Sequence, residues 1–187
     1  MTAMDTLAGR IERLESLHEI GQLPVRYAQA IDARDIDAWL ALFVEDVDCG
    51  ARGRGREALR SFIEPAVSTF YRSVHLICGH VIDLQDPTHA TGRVYSRCEH
   101  EVDGQWIVQA ACYMDTYERR DGVWYFVRRQ EDFFYSCDVL ERPQDAAFAR
   151  WPGPAPKHAP PMMLPRFPTW PRFWDTRTPP TQDAAHG

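Results

Sequence analysis

Asparagine is absent from this chain of 187 residues, and lysine occurs once, at Lys157 in a proline-rich C-terminal stretch. A core without lysine argues against catalysis through a Schiff base. The five cysteines are an odd number, and no two of them stand as CxxC. That pattern suits reduced thiols in a cytoplasm better than a disulfide frame. No apolar run is long enough for a membrane span or the core of a signal peptide. Positive charge is not in excess either. Against 27 acidic residues stand 21 basic ones, a formal net charge of -6, which disfavours a nucleic-acid surface. The small basic cluster "ARGRGRE" follows no supporting strand, so it reads as a turn and not as a phosphate-binding loop.

What is present is a globular composition, 44% hydrophobic and 12% aromatic, enough for one domain with a full core. From Met4 to Ala33 the pattern is helical, with Leu7, Ile11, Leu14 and Leu17 spaced for one face. Pro24 should kink or restart that helix, because it lacks the N–H donor. "DIDAWLALF" reads as a second helix with Asp35 as N-cap, burying Trp39, Leu40 and Phe43. A third helix is expected over Glu57 to Thr69. Beyond Tyr71 the pattern turns to strands. "SVHLICGHVIDL", "ATGRVYSRCEHEV", "QWIVQAACYMDTYERR" and "VWYFVRRQEDFFYSCDVL" are separated by "QDPTH" and two Asp-Gly pairs, which signal hairpins. Three helices followed by a meandering antiparallel sheet define an α+β class, with helices on one face of a curved sheet. Residues 1–140 are expected to form that domain. Residues 141–187 hold all but three of the 14 prolines, together with Phe167, Trp170, Phe173 and Trp174. That aromatic content is unusual for a solvated linker, so the extension is expected to pack on the domain or on a neighbouring subunit.

Alternation along the strands sorts their side chains. Ile107, Gln109, Ala111, Tyr113, Asp115 and Tyr117 share one face, and Val94, Ser96, Cys98 and His100 form a small, weakly polar set on the next strand. His75 and His80 are five apart and face opposite ways unless a bulge at Gly79 intervenes. One residue of the first helix stands out: Asp32 falls in the stripe Val25, Ala28, Asp32, beside a second stripe of Leu23, Tyr27 and Ile31. A carboxylate there either caps the next helix or points into a cavity. Asp115 reads either as the cross-strand partner of an arginine or as a pocket acid.

The blocks "YAQAIDARDIDAWLALFVEDV", "SVHLICGH" and "YERRDGVWYFVRR" resemble the SnoaL-like branch of the NTF2-like superfamily, which includes scytalone dehydratase and the hexachlorocyclohexane dehydrochlorinases. The resemblance covers residues 5–137 and implies a cone, with the helices packed in the concavity of the sheet. In these enzymes an aspartate at the position of Asp32 orients a histidine at that of His75, a general-base pair. Arg129 matches a pocket arginine of the dehydrochlorinases, and Tyr27 a helix-borne tyrosine of ketosteroid isomerases, where Asp115 would match a protonated aspartate. His100 resembles a second histidine of scytalone dehydratase. Ile31 replaces a tyrosine of that enzyme, its pocket asparagine has no counterpart here, and Ala51 stands where ketosteroid isomerases keep their base. Scytalone and simple steroid isomerisation are therefore disfavoured.

The resemblance implies a lyase of dehydratase or retro-aldol type that needs no cofactor or metal. His75, Asp32, Tyr27 and Arg129 would be catalytic, and His100, Tyr113, Asp115, Trp39, Phe133 and Tyr135 would bind substrate. Those aromatics suit an apolar or aromatic small molecule, such as a hydroxylated aryl compound, polyketide or steroid. Two other functions share the pattern. An isomerase or polyketide cyclase would use the same pocket, and a non-catalytic β subunit of a ring-hydroxylating dioxygenase would need no base. A homo-oligomer, dimer or trimer, in the cytoplasm is expected. Metal binding by His75, His100 and Asp32 is not singled out by any ligand spacing.

Overall fold

The structure is a computed structural model that describes residues 6–146, 148 and 169–177. Helix α1 runs from Leu7 to Ala33 and starts where the Thr6 hydroxyl accepts the amide of Gly9 at 3.1 Å. It passes through Pro24 without restarting, at the cost of the one bond that the missing N–H would have made. It ends at Arg34, whose left-handed backbone (φ 59°) lets its amide cap the carbonyls of Ala30 and Ile31. Asp35 then caps α2, Ile36–Ala41, by accepting the amide of Ala38 at 3.0 Å. Helix α3 spans Arg56–Val67 and buries Leu59, Ile63 and Val67 on one stripe.

Four strands follow: β1 Ser73–Leu84, β2 His89–Val102, β3 Gln105–Arg120 and β4 Val123–Asp138. They pair antiparallel in the order β1-β2-β3-β4. The turns between β2 and β3 and between β3 and β4 are Asp103-Gly104 and Asp121-Gly122, all four residues at positive φ. That is the backbone of type I′ hairpins, whose twist matches that of the strands. The β1–β2 turn is fixed by Asp86, whose carboxylate accepts the amides of Thr88 and His89 at 2.7 and 2.9 Å. The architecture is the α+β fold that the sequence pattern indicates, helices followed by a curved open sheet, in the manner of an NTF2-like cone.

Three bulges shape the sheet. One extra residue each, Cys78 in β1, Phe134 in β4 and Val127 in β4, interrupts the pairing at Ile77/Gly79, Ala110/Ala111 and Thr116/Tyr117. The first brings His75 and His80 to the same face, opposite the buried Cys98 and Val94. The core lies between α1 and the sheet, where Ile20, Leu23, Tyr27 and Ile31 meet Tyr117 and Phe126. The first three turns of α1 are different. Leu7, Ile11 and Leu14 are spaced for one face but remain 71%, 47% and 66% exposed. Among the described residues nothing covers them. Of the aromatic extension, Phe167 lies outside the described residues, while Trp170, Phe173 and Trp174 fall on a short helix, Thr169–Trp174, that buries none of them. No described helix is long and apolar enough to cross a membrane.

Candidate active site

The end of α1 and the start of β1 meet at a carboxylate. Asp32, in the last turn of α1, accepts three hydrogen bonds from β1. The backbone amide of His75 donates to Oδ2 at 2.8 Å, the Ser73 hydroxyl donates to Oδ1 at 2.7 Å, and His75 Nδ1 lies 2.7 Å from Oδ1. Arg34 continues the chain, donating to Ser73 Oγ at 3.0 Å and to the carbonyls of Ile31 and Phe70. The residue that ends α1 therefore also holds the loop before β1 in place. Asp32 caps no helix; it pins the first two inward-facing residues of β1, Ser73 and His75.

The electrostatics follow from this geometry. Burial alone would raise the Asp32 carboxyl, but its bonds from His75 and Ser73 outweigh burial and lower it. Burial would lower the His75 imidazole. Its bond to Asp32, a contact with Cys98 and the charges of both outweigh that and raise it to about 9. The resting pair is thus an imidazolium on a carboxylate. With Nδ1 committed to Asp32, Nε2 is the nitrogen left for chemistry.

His75 stands on the wall of a cavity of about 760 Å³ between the helices and the sheet, well within the range of small-molecule sites. Its lining is predominantly aromatic and aliphatic. Tyr27 comes from α1, Trp39 from α2, Phe62 and Ile63 from α3, Tyr113 from β3 and Phe133 from β4. His100 lies beside His75 with ring centroids 5.4 Å apart and packs on Phe70 at 4.3 Å. Its Nε2 is 3.1 Å from Gln109 Oε1, and Gln109 Nε2 donates to Ser136 Oγ at 3.3 Å. This network assigns the proton to Nε2 and leaves Nδ1, buried without a partner, as an acceptor. Burial and the neighbouring His75 charge push His100 down to about 4, so it is neutral where His75 is charged.

Opposite the histidines stands Arg129. Its Nε and Nη2 grip Asp115 in a bidentate pair, both at 2.8 Å, with side chains only 4% and 0% exposed. The guanidinium sits among the rings of Tyr27, Tyr113 and Phe126, 4.4, 4.2 and 4.6 Å from their centroids. Its third nitrogen, Nη1, is buried without a partner. Asp115 is fully used: Tyr117 also donates to it at 2.8 Å, and the Tyr117 oxygen lies 3.1 Å from His80 Nε2.

Of the residues singled out from the sequence, Tyr27, Trp39, His75, His100, Tyr113, Arg129 and Phe133 line one cavity, and Asp32 stands directly behind His75. Two do not line it. Asp115 is the register partner of Arg129, so it supports the arginine from behind and presents no free oxygen. Tyr135 pairs with Ala110, on the outer face, because the bulge at Phe134 breaks the alternation after Phe133. Sequence reasoning missed Ser73, Arg34, Gln109 and Glu131. Glu131 follows from the alternation Arg129, Glu131, Phe133. The roles of Ser73 and Arg34 require the tertiary contact between α1 and β1.

A cone of this kind, with a polar cluster inside an aromatic pocket, is the architecture of the NTF2-like proteins. The chain belongs to the SnoaL-like domain family, whose model matches residues 12–130. Among solved structures it is similar to a provisionally assigned scytalone dehydratase of Novosphingobium aromaticivorans, 25% identical over 71% of this chain and 93% of that one, with a TM-score of 0.62. It is also similar in fold to a type 2 hexachlorocyclohexane dehydrochlorinase, 21% identical over 71% of this chain and 95% of that one, with a TM-score of 0.64. A third, the type 3 dehydrochlorinase of Novosphingobium barchaimii, is 21% identical over 71% and 96%, also with a TM-score of 0.64. No curated protein sequence matches the chain. Its relatives of known structure thus include lyases.

Proposed function

We propose that the protein is a lyase that eliminates a group from a hydroxylated aromatic or polycyclic small molecule, using its own side chains. The observation that carries this reading is the seating of His75. Its Nδ1 is held by Asp32, and its ring lies on the wall of a cavity lined by Tyr27, Trp39, Tyr113 and Phe133. Elimination needs a base for a carbon-bound proton and a place for the negative charge that this leaves. In the neutral form of His75, which gains as pH rises towards about 9, Nε2 takes the proton, and Asp32 fixes the tautomer and stabilises the imidazolium that forms. Charge that gathers on a substrate oxygen is met by the unpartnered Arg129 Nη1 or by the Tyr27 hydroxyl, which burial keeps protonated. A non-catalytic β subunit would leave the pair without a task. An isomerase or cyclase would share the first step and return the proton to carbon.

The test is conversion of 4-hydroxy-4-phenylbutan-2-one to its conjugated enone, followed by absorbance. Wild type should accelerate the conversion, and prolonged dialysis against EDTA should not abolish it. His75→Ala should remove it while the protein stays folded. If neither this probe nor a panel of hydroxylated aromatic and steroidal compounds is turned over or raises the melting temperature, while sugars or nucleotides do raise it, the reading is wrong.

A further inference from the structure

Strand β4 turns Arg129, Glu131 and Phe133 towards the cavity, and the middle one is an acid that the elimination described above does not use. The other carboxylates near the cavity are committed. Asp32 holds His75 and Ser73, and Asp115 holds Arg129 and Tyr117. Glu131 forms none of the ion pairs among the described residues; the Arg129 nitrogens Nε and Nη2 are on Asp115. It stands opposite Tyr113 in the register. The charged and titratable groups that face it are Tyr113 and Asp115 of β3, Arg129 of β4, His75 of β1 and Tyr27 of α1. Burial raises its carboxyl above the usual range. Arg129, His75 and a hydrogen bond with Tyr113 oppose that without cancelling it. The direction of that shift favours the protonated carboxyl, the form that can donate.

We propose that Glu131 is the proton donor to the departing oxygen, so the substrate class is one that loses a hydroxyl group and not a halide. This rests on the lyase reading. A chloride leaves without a proton, whereas hydroxide is a poor leaving group that an acid must neutralise. In the step, the C–H bond breaks with its proton passing to His75 Nε2, and its electron pair forms the new C=C bond. The C–O bond breaks with its pair on oxygen, which takes the Glu131 proton and departs as water. His75 then carries one proton more and Glu131 one fewer. Solvent exchange returns both, with no net change in the enzyme. The Glu131 carboxylate left behind faces Arg129, a favourable place for a transient negative charge.

The experiment uses the full chain, Glu131→Gln, Glu131→Asp and two probes, 4-hydroxy-4-phenylbutan-2-one and its 4-chloro counterpart. Glu131→Gln should slow loss of water by about a hundredfold or more, the usual reach of acid catalysis, and leave loss of chloride nearly unchanged. The pH profile should change too. The active form needs neutral His75 and protonated Glu131, so the wild-type rate climbs with pH, levels at the Glu131 midpoint and falls above about 9. The residual Glu131→Gln rate should keep climbing through that pH. Glu131→Asp keeps the acid and should keep the falling limb, which covers the case of a Gln variant that folds poorly. Equal loss on both probes, or an unaltered profile, overturns the donor role and leaves the lyase reading standing. A wild type that acts on neither probe nor any compound of the wider panel ends both.

Discussion

His75 Nδ1 and Asp32 Oδ1 lie 2.7 Å apart although 43 positions separate them in the chain. The contact joins the last turn of α1 to the first residues of β1 and is doubled by the bond from the His75 amide to the same carboxylate. Side chain and backbone of one residue are thus fixed by one partner, and the imidazole is held in a single orientation against the cavity.

In the proposed mechanism the two act as a unit, so their removal should not be additive. His75→Ala and Asp32→Asn are each expected to lower turnover of the hydroxyketone by about 10²–10⁴-fold. The double variant should be little slower than the worse single one. Kinetics of the four proteins check this, and losses that multiply would separate the two residues.

The histidines give stability opposite slopes on the two sides of neutrality. His75 is raised to about 9 from an unfolded value of about 6.5. Its contribution is complete below the unfolded value and is lost as pH rises through about 9. His100 is lowered to about 4, so between about 6.5 and that value the unfolded chain gains a proton that the fold refuses, and stability falls with falling pH. Melting temperature should therefore peak near neutral pH. His75→Ala should flatten the alkaline side and His100→Gln the acid side. A melting curve that shifts equally at all pH values in both variants would contradict the assignment.

Asp115 and Arg129 form a buried pair whose worth lies in not being broken. Asp115→Ala strands a guanidinium and should cost about 3–5 kcal/mol of stability in urea unfolding. Losing Arg129 as well, by Asp115→Ala with Arg129→Met, should restore part of that loss. A single variant as stable as wild type would mean that the guanidinium finds other partners.

Gly92 is where β2 lets the His80–Tyr117 contact form. A Cβ built there would lie 2.7 Å from His80 Nε2, 3.0 Å from Tyr117 Cε2 and 3.1 Å from the Val81 carbonyl oxygen. The carbonyl cannot swing aside as a side-chain end can. Gly92→Ala should lower stability by about 1–3 kcal/mol, as measured by urea unfolding, and a neutral effect would show that the strand shifts freely.

Much of this fold is legible in the sequence because local signals agree. Asp103-Gly104 and Asp121-Gly122 require the positive φ that they adopt, Asp35 caps α2, and alternation along β2 and β3 sorts inward from outward side chains correctly. What fails is set by the tertiary structure. The bulges at Cys78 and Phe134 follow sheet curvature and decide that His80 faces inward and Tyr135 outward. Pro24 sits within a continuous α1 because packing outweighs one missing bond. The amphipathic pattern of Leu7, Ile11 and Leu14 has no covering layer among the described residues. At the site, the meeting of Asp32 with His75 is legible only through resemblance to relatives. Residue types alone left both capping and cavity readings of Asp32 open. The position of Glu131 follows from alternation, but the pairing of Asp115 with Arg129 beside it is a matter of register.

The central claim is that His75, held by Asp32, removes a proton from carbon inside the cavity. The most direct measurement uses 4-phenylbutan-2-one, a carbon acid with no leaving group, in D₂O, with loss of the protons beside its carbonyl followed by NMR. Wild type should exchange them well above the buffer rate and increasingly so as pH rises towards about 9, while His75→Ala should exchange them at the buffer rate. Exchange by His75→Ala as fast as by wild type would contradict the account.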